Sequence, residues 1–185
     1  MRKIVAGLFV SLDGVVEAPD QWHFPYFNEE MGEAVTSQMA ASDAMLLGRV
    51  TYEEFAGYWS QQGSEVEMAD QMNSTPKFVV STSLESAAWQ NTTVIRGNPV
   101  EELTRLKQEP GKDIAVVGSA TLVRSLLRDN LLDELRLLVH PIVVGQGTHL
   151  FPEGTEQTPL KLVDAKIFST GVLYLTYQPA AAAGA

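Results

Sequence analysis

Short apolar runs alternate with amphipathic stretches over the first two thirds of the chain. They then give way to strand-like runs punctuated by glycines. Ile4–Leu12 is short, apolar and partly β-branched, which predicts a buried strand ending at Asp13-Gly14. A loop rich in proline, acid and aromatic residues follows from Val15 to Phe27. Asn28 is placed as a helix N-cap, with Glu29 and Glu30 in the first turn. Phe27, Met31, Val35 and Met39 recur every four residues as one apolar face. Ala44–Leu47 predicts a second strand. Thr51-Tyr52-Glu53-Glu54 has the capping-box pattern and predicts a helix from Thr51 to about Trp59. Gln61–Ser74 reads as a polar loop with a short helix. Phe78–Ser81, Thr93–Ile95 and Asp113–Val117 read as strands, and Pro99–Lys107 and Ala120–Arg128 as helices. From Leu131 onward Glu134–His140, Ile142–Val144, Leu160–Phe168 and Val172–Gln178 all predict strands. The layout is an α/β fold with a mixed sheet, parallel and helix-covered first and antiparallel at the end. One domain over residues 1–178 and a frayed tail over 179–185 complete the expectation.

Composition narrows the classes. The 185 residues are 45% hydrophobic and 19% charged, enough apolar material for a core. A net charge of −10 argues against a general nucleic-acid binder and against a polybasic membrane anchor. The absence of cysteine excludes disulfides, thiolate nucleophiles and cysteine-ligated metal. The apolar run after Arg2-Lys3 stops after seven residues, too short for a signal peptide or a membrane span, so a cytoplasmic protein is expected. The charge is uneven. Residues 1–76 hold twelve acids against three bases (Arg2, Lys3 and Arg49), whereas residues 77–185 hold eleven acids and ten bases.

The candidate chemistry sits where strands meet helices. Gly48 and Gly118 each follow a strand and precede a helix, where free N–H groups and a partial positive charge attract phosphate. Two such ends on one sheet can grip a dinucleotide, or each can be a plain connection. Arg49, the only base between Lys3 and Lys77, and the Thr51 hydroxyl fall beside the first of these ends. Arg49 can equally pair with Glu53 or Glu54. Ser81-Thr82-Ser83 places hydroxyls at a strand's carboxyl end, as a ligand contact or a turn. Asp13 points into a central crevice or merely makes the turn. His23, His140 and His149 lack ligand spacing, so no metal is expected, and His140 beside Pro141 reads as packing. No G-x-S-x-G elbow or P-loop motif is present.

In order along the chain, these pieces resemble the dihydrofolate-reductase-like superfamily. The resemblance is closest to the reductase domain of the riboflavin-biosynthesis deaminase-reductase. Ser11-Leu12-Asp13-Gly14 looks like the end of that family's first strand. Gly48-Arg49-Val50-Thr51-Tyr52-Glu53 resembles its Gly-Arg-x-Thr-[Trp/Tyr]-Glu turn. Phe78–Thr82, Ile114–Ala120 and Asp133–Gly147 with Leu150-Phe151 complete the likeness. The resemblance implies a three-layer fold, helices on both faces of the sheet, and NADPH as cofactor. Arg49 and Thr51 would meet the adenosine-side phosphates, and Ser81 and Thr82 the ribose 2′-phosphate. Gly48 would turn the first loop, and Gly118, Ser119, Ala120 and Thr121 would hold the pyrophosphate.

By the same resemblance, a carboxylate early in the first helix assists substrate protonation. Glu30 is the candidate, as an acid with a raised pKa, and Asp13 is a second catalytic candidate. Ahead of this helix the chain has Trp22-His23-Phe24-Pro25 rather than the Pro-Trp of true dihydrofolate reductases. The substrate is expected to be a pterin- or pyrimidine-like heterocycle. It is either neutral or, if phosphorylated, held by bases from the second half or a neighbouring subunit. A homodimer is expected. The competing readings are a ligand-binding protein of the same fold without catalysis and a structural dimerisation module.

Overall fold

The computed structural model describes residues 1–180. Thirteen principal elements follow one another: β1 (Ile4–Ser11), α1 (Glu29–Ala40), β2 (Ser42–Gly48), α2 (Arg49–Trp59), α3 (Ala69–Ser74), β3 (Lys77–Val80), β4 (Thr92–Ile95), α4 (Pro99–Gln108), β5 (Asp113–Val117), α5 (Ala120–Arg128), β6 (Glu134–His140), β7 (Leu160–Ile167) and β8 (Leu173–Pro179). Two short 3₁₀ turns, Pro19–Gln21 and Phe24–Tyr26, lie between β1 and α1. The strands form one eight-stranded sheet in the order β4-β3-β2-β5-β1-β6-β8-β7. Pairing is parallel from β4 to β6, and β8 and β7 add on antiparallel. The expected mixed sheet is therefore present, with its antiparallel part at the end of the chain.

The central strands read as unbroken apolar runs because both of their faces are covered. Ala44 and Leu46 of β2 and Ile4, Ala6 and Leu8 of β1 pack with Leu103 and Leu106 of α4 and with Leu122, Val123 and Leu126 of α5. On the opposite face, Met45 and Leu47 pack with Tyr52 of α2 and Met72 of α3. Met31 of α1 packs there against Leu138 of β6. By contrast β7 is exposed along nearly its whole length.

Several boundaries differ from those the sequence predicts. Ile142–Val144 is not a strand. Pro141 has no N–H to give the ladder, and the Asp13 carboxylate accepts the Val144 and Gly145 N–H groups at 3.0 and 2.8 Å. Helix α2 begins at Arg49, with Gly48 in the cap position and no side-chain cap, so the capping box expected at Thr51 does not form. Phe27 lies ahead of α1 and is 53% exposed, outside the helix's buried face. Pro179, placed in the tail by the sequence, ends β8 opposite Leu160. Residues 181–185 of that tail lie outside the described residues.

A step in the sheet positions the site. Val117, the last residue of β5, is paired with Gly7 in the middle of β1. Beyond that level β1 continues beside β6 as far as Ser11 opposite His140. The carboxyl ends of β2 and β5 therefore lie below a taller β1–β6 wall, and the helices α2 and α5 start on the step.

Candidate active site

The two glycine turns on the step pack into each other. A Cβ built on Gly118 would lie 2.9 Å from the Thr51 hydroxyl oxygen, and one on Gly48 would lie 2.5 Å from that of Ser119. The sequence suggested two separate ends of a dinucleotide. The structure instead makes them one double cradle, because β2 and β5 are neighbours in the sheet. Gly118 and Ser119 both adopt left-handed backbone, φ 63° and 56°. For Ser119 that conformation costs about 1–2 kcal/mol, and such strain collects at ligand sites. The Ser119 hydroxyl accepts the Leu122 N–H at 3.2 Å and so caps α5. At α2 no side chain fills that role, and the first-turn N–H groups are left for a ligand.

A groove of about 1290 Å³ runs over this cradle and is lined among others by Gly48, Arg49, Thr51 and Gly118–Thr121. Seven of the nine residues expected to bind cofactor are thus brought together. Arg49 is half-exposed and bonds Glu53 at 2.9 Å, one helical turn on. Such an exposed i,i+4 pair contributes only about 0.3–0.5 kcal/mol, so an arriving phosphate can take the guanidinium. Ser81 and Thr82 lie in an adjoining hollow of about 300 Å³ at the ends of β3 and β4. The buried Ser81 hydroxyl is already engaged, accepting the Ser83 and Leu84 N–H groups at 3.2 and 3.0 Å. Thr82 remains exposed. Arg96 lines the same hollow, a residue the sequence reading missed. Its signal was its place as the first residue after Thr93–Ile95, at the sheet's ligand edge.

On the other side of the step lies a second chamber of about 310 Å³, between the sheet and α1, α2 and α3. It shares Gly7, Leu8, Phe9, Phe55 and Val117 with the groove. The two spaces therefore meet at the middle of β1. Behind Phe9, His23 stacks on its ring at 4.6 Å, and His140 approaches it edge-on at 5.6 Å. His140 is fully buried, with Nδ1 2.8 Å from the Leu138 carbonyl oxygen, and burial lowers the pKa of both imidazoles. The packing expected of His140 is what it does.

The two carboxylates singled out for proton chemistry do different work. Glu30 accepts the Ser169 hydroxyl at 2.6 Å and the Ser169 N–H at 2.8 Å, tying α1 to the β7–β8 turn. Those bonds lower its pKa, opposite to the raised value a proton donor needs. Asp13 accepts the Ser11 hydroxyl at 2.6 Å and the two N–H groups of the loop after β6. Its pKa is lowered to about 2, first by the Ser11 hydroxyl. Both acids are structural ties held in the ionised form, so neither has the property expected of the catalytic acid.

The chain matches the RibD C-terminal domain family over residues 2–174. It belongs to that family. It is 31% identical over 180 residues to the uncharacterized protein YyaP of Bacillus subtilis (strain 168), covering 95% of this chain and 94% of that one. Its fold is similar to that of a putative riboflavin biosynthesis protein from Shewanella sp. PV-4. The TM-score is 0.78 and the identity 18%, over 97% of this chain and 99% of that one. It also resembles dihydrofolate reductase from Enterococcus faecalis, which was solved with NADP(H). There the TM-score is 0.63 and the identity 15%, over 96% of each chain. The RibD-type, dihydrofolate-reductase-like fold is therefore established. Among the described residues no helix is long and apolar enough to cross a membrane.

Proposed function

We propose that this protein is an NADPH-dependent reductase of a pterin- or pyrimidine-like heterocycle, acting in the cytoplasm as a single domain over residues 1–178. The observation that carries the reading is the shared wall of Gly7, Leu8, Phe9, Phe55 and Val117, where a phosphate-binding groove opens onto a chamber of ring size. The cradle also fits the cofactor. A Cβ at Gly48 or Gly118 would collide with Ser119 or Thr51, so the two glycines let both helix starts sit side by side, where both could face one pyrophosphate. Arg49, Thr51, Ser119, Ala120 and Thr121 would hold the phosphates, and Thr82 with Arg96 would face the ribose 2′-phosphate. When bound, NADPH supplies the hydride. The chain's own work would be to bring the two rings together beside Gly7–Phe9 and to keep water out with Phe55, Leu8 and Val117.

The test is consumption of NADPH absorbance with a panel of pteridine and pyrimidine substrates, run beside a direct NADPH titration. Turnover with any of them supports the reading, and no NADPH binding overturns it. A second reading, binding without turnover, is favoured by one observation: the two expected acids are both held ionised. NADPH binding without consumption across the panel would select it. The homodimer belongs to the proposal too. The outer edge of β7 is unpaired and Ile167 is 79% exposed, so a second copy pairing there would cover it. Sedimentation equilibrium of the wild type against Ile167→Lys reads that contact.

A further inference from the structure

We infer that the substrate ring seated beside the groove is uncharged and free of phosphate, gripped by methionine and aromatic side chains and oriented by the Gln38 amide, an inference that rests on the reductase reading above. No Asp, Glu, Lys, Arg or His lines the chamber. Four of the chain's six methionines do: Met39, Met45, Met68 and Met72, with Phe55 and Trp59. Thioethers and aromatic rings offer polarizable, adaptable walls to a flat ring. They offer nothing to a phosphate, whose burial without a partner charge is strongly unfavourable. The chamber's volume of about 310 Å³ sits at the lower end of the roughly 300–1,000 Å³ of small-molecule sites. That suits a ring system without a long polar tail.

Arg49 and Arg128 line the groove and not the chamber, and the bases around the rest of the core are engaged elsewhere. Arg2 pairs with Asp43 and Lys3 with Glu134, both at the amino ends of the strands, the edge opposite the site. Lys107 is paired with Asp133 and Arg136 with Glu134. Arg124 donates to the Leu150 carbonyl at 2.8 Å, and Lys112 to that of Ala40 at 2.9 Å. Lys77 is the cation nearest in structure to the chamber's Met72 and Thr75. Its ammonium donates to the carbonyls of Met72, Asn73 and Thr75 at 2.8, 3.2 and 2.7 Å, which uses all three of its protons. Of the alternatives open from the sequence, a phosphate held by second-half bases has no cation at this chamber to hold it.

Orientation falls to Gln38. Its backbone carbonyl accepts the Ser42 hydroxyl, whereas its side-chain amide lies over the bare backbone of Gly7, where a Cβ would overlap it. Gly7 belongs to the shared wall. An amide there presents one donor and one acceptor to a ring edge at the place where the two rings meet. Gln71 and Thr75 add polar atoms at the far wall, near α3.

The experiment is titration calorimetry on the full chain with pteridine-2,4-dione in its neutral form, the same ring bearing a ribityl phosphate, and naphthalene. The uncharged ring is expected to bind about tenfold or more tightly than its phosphorylated counterpart. Gln38→Leu is expected to weaken pteridine-2,4-dione about fivefold and to leave naphthalene unchanged. Met68→Arg, at a partly exposed wall position, is expected to raise affinity for the phosphorylated ring without touching Gln38. Equal or tighter binding of the phosphorylated ring by the wild type overturns the inference. So does failure of both heterocycles to bind, or a Gln38→Leu protein that melts normally and binds pteridine-2,4-dione unchanged. NADPH titrated in parallel separates this from the reductase reading. Ring binding without NADPH binding removes the reductase reading alone, and NADPH binding with preference for the phosphorylated ring removes this inference alone.

Discussion

The groove and the chamber share a wall at the middle of β1 but are made of different materials. The floor of the groove is built from backbone: two glycine turns, two helix starts and a left-handed serine, with Arg49 and Arg128 among the side chains that line it. The chamber is built from side chains that three helices and four strands deliver from far apart in the chain. A backbone site recognises a group common to many ligands, phosphate, and it tolerates little change because Gly48 packs against Ser119 and left-handed Gly118 against Thr51. A side-chain site is retuned by single substitutions. If the proposed reading holds, the same scaffold can keep one cofactor while its ring substrate drifts, and relatives on this fold need not share a substrate.

The sharpest way to break this contrast is Arg49→Ala. If the groove binds NADPH as proposed, the binding free energy weakens by about 1.5–3 kcal/mol, with a weaker salt dependence, in a fluorescence titration. The melting temperature should hardly move, since the Glu53 pair is exposed. Next comes Gly118→Ala. Left-handed backbone and the Thr51 contact together predict a loss of about 1–2 kcal/mol in cofactor affinity, with affinity for an uncharged ring nearly unchanged. Parallel loss of both ligands would mean that the two spaces are not separable. Ser119→Ala tests a structural part of the cradle. Losing the α5 cap is expected to lower stability by about 1 kcal/mol in urea denaturation, and to weaken NADPH only modestly.

The smallest effect concerns Asp13, which ties the loop after β6 beside the tall wall. Its folded pKa of about 2 is below the ordinary carboxylate value of 3.8. The unfolded chain therefore binds the proton first as pH falls. The tie is fully present above about pH 4 and is lost as pH drops toward 2. Asp13→Asn should flatten acid unfolding in that window and leave neutral-pH ring binding intact. A matching collapse of activity at neutral pH would instead give Asp13 a role in the chemistry.

The strands and helices were legible because burial on both faces writes unbroken apolar runs, and because Asn28, Pro99 and Ser119 mark helix starts. The turns at Gly48 and Gly118 were legible for the same local reason: a strand, a glycine and a helix in succession are visible in one short window. The start of α2 was misread because Thr51-Glu54 imitates a cap. In the fold the Thr51 side chain is instead turned to Gly118, a contact across two strands. The ties of Glu30 and Asp13 to Ser169 and Val144-Gly145 were not legible because those partners are more than a hundred residues away in the chain.

The sequence by itself determined the sheet's core strands, the starts of α1, α4 and α5 and the two glycine turns of the groove, since each depends on neighbours a few residues apart. Only the tertiary structure decided that the two glycine turns form one cradle. It alone decided which distant segments the Glu30 and Asp13 carboxylates tie together, and that methionines of α1, β2 and α3 meet around Gln38. Those outcomes depend on sheet order and on which helix covers which face, and contacts between distant segments leave no period in the chain.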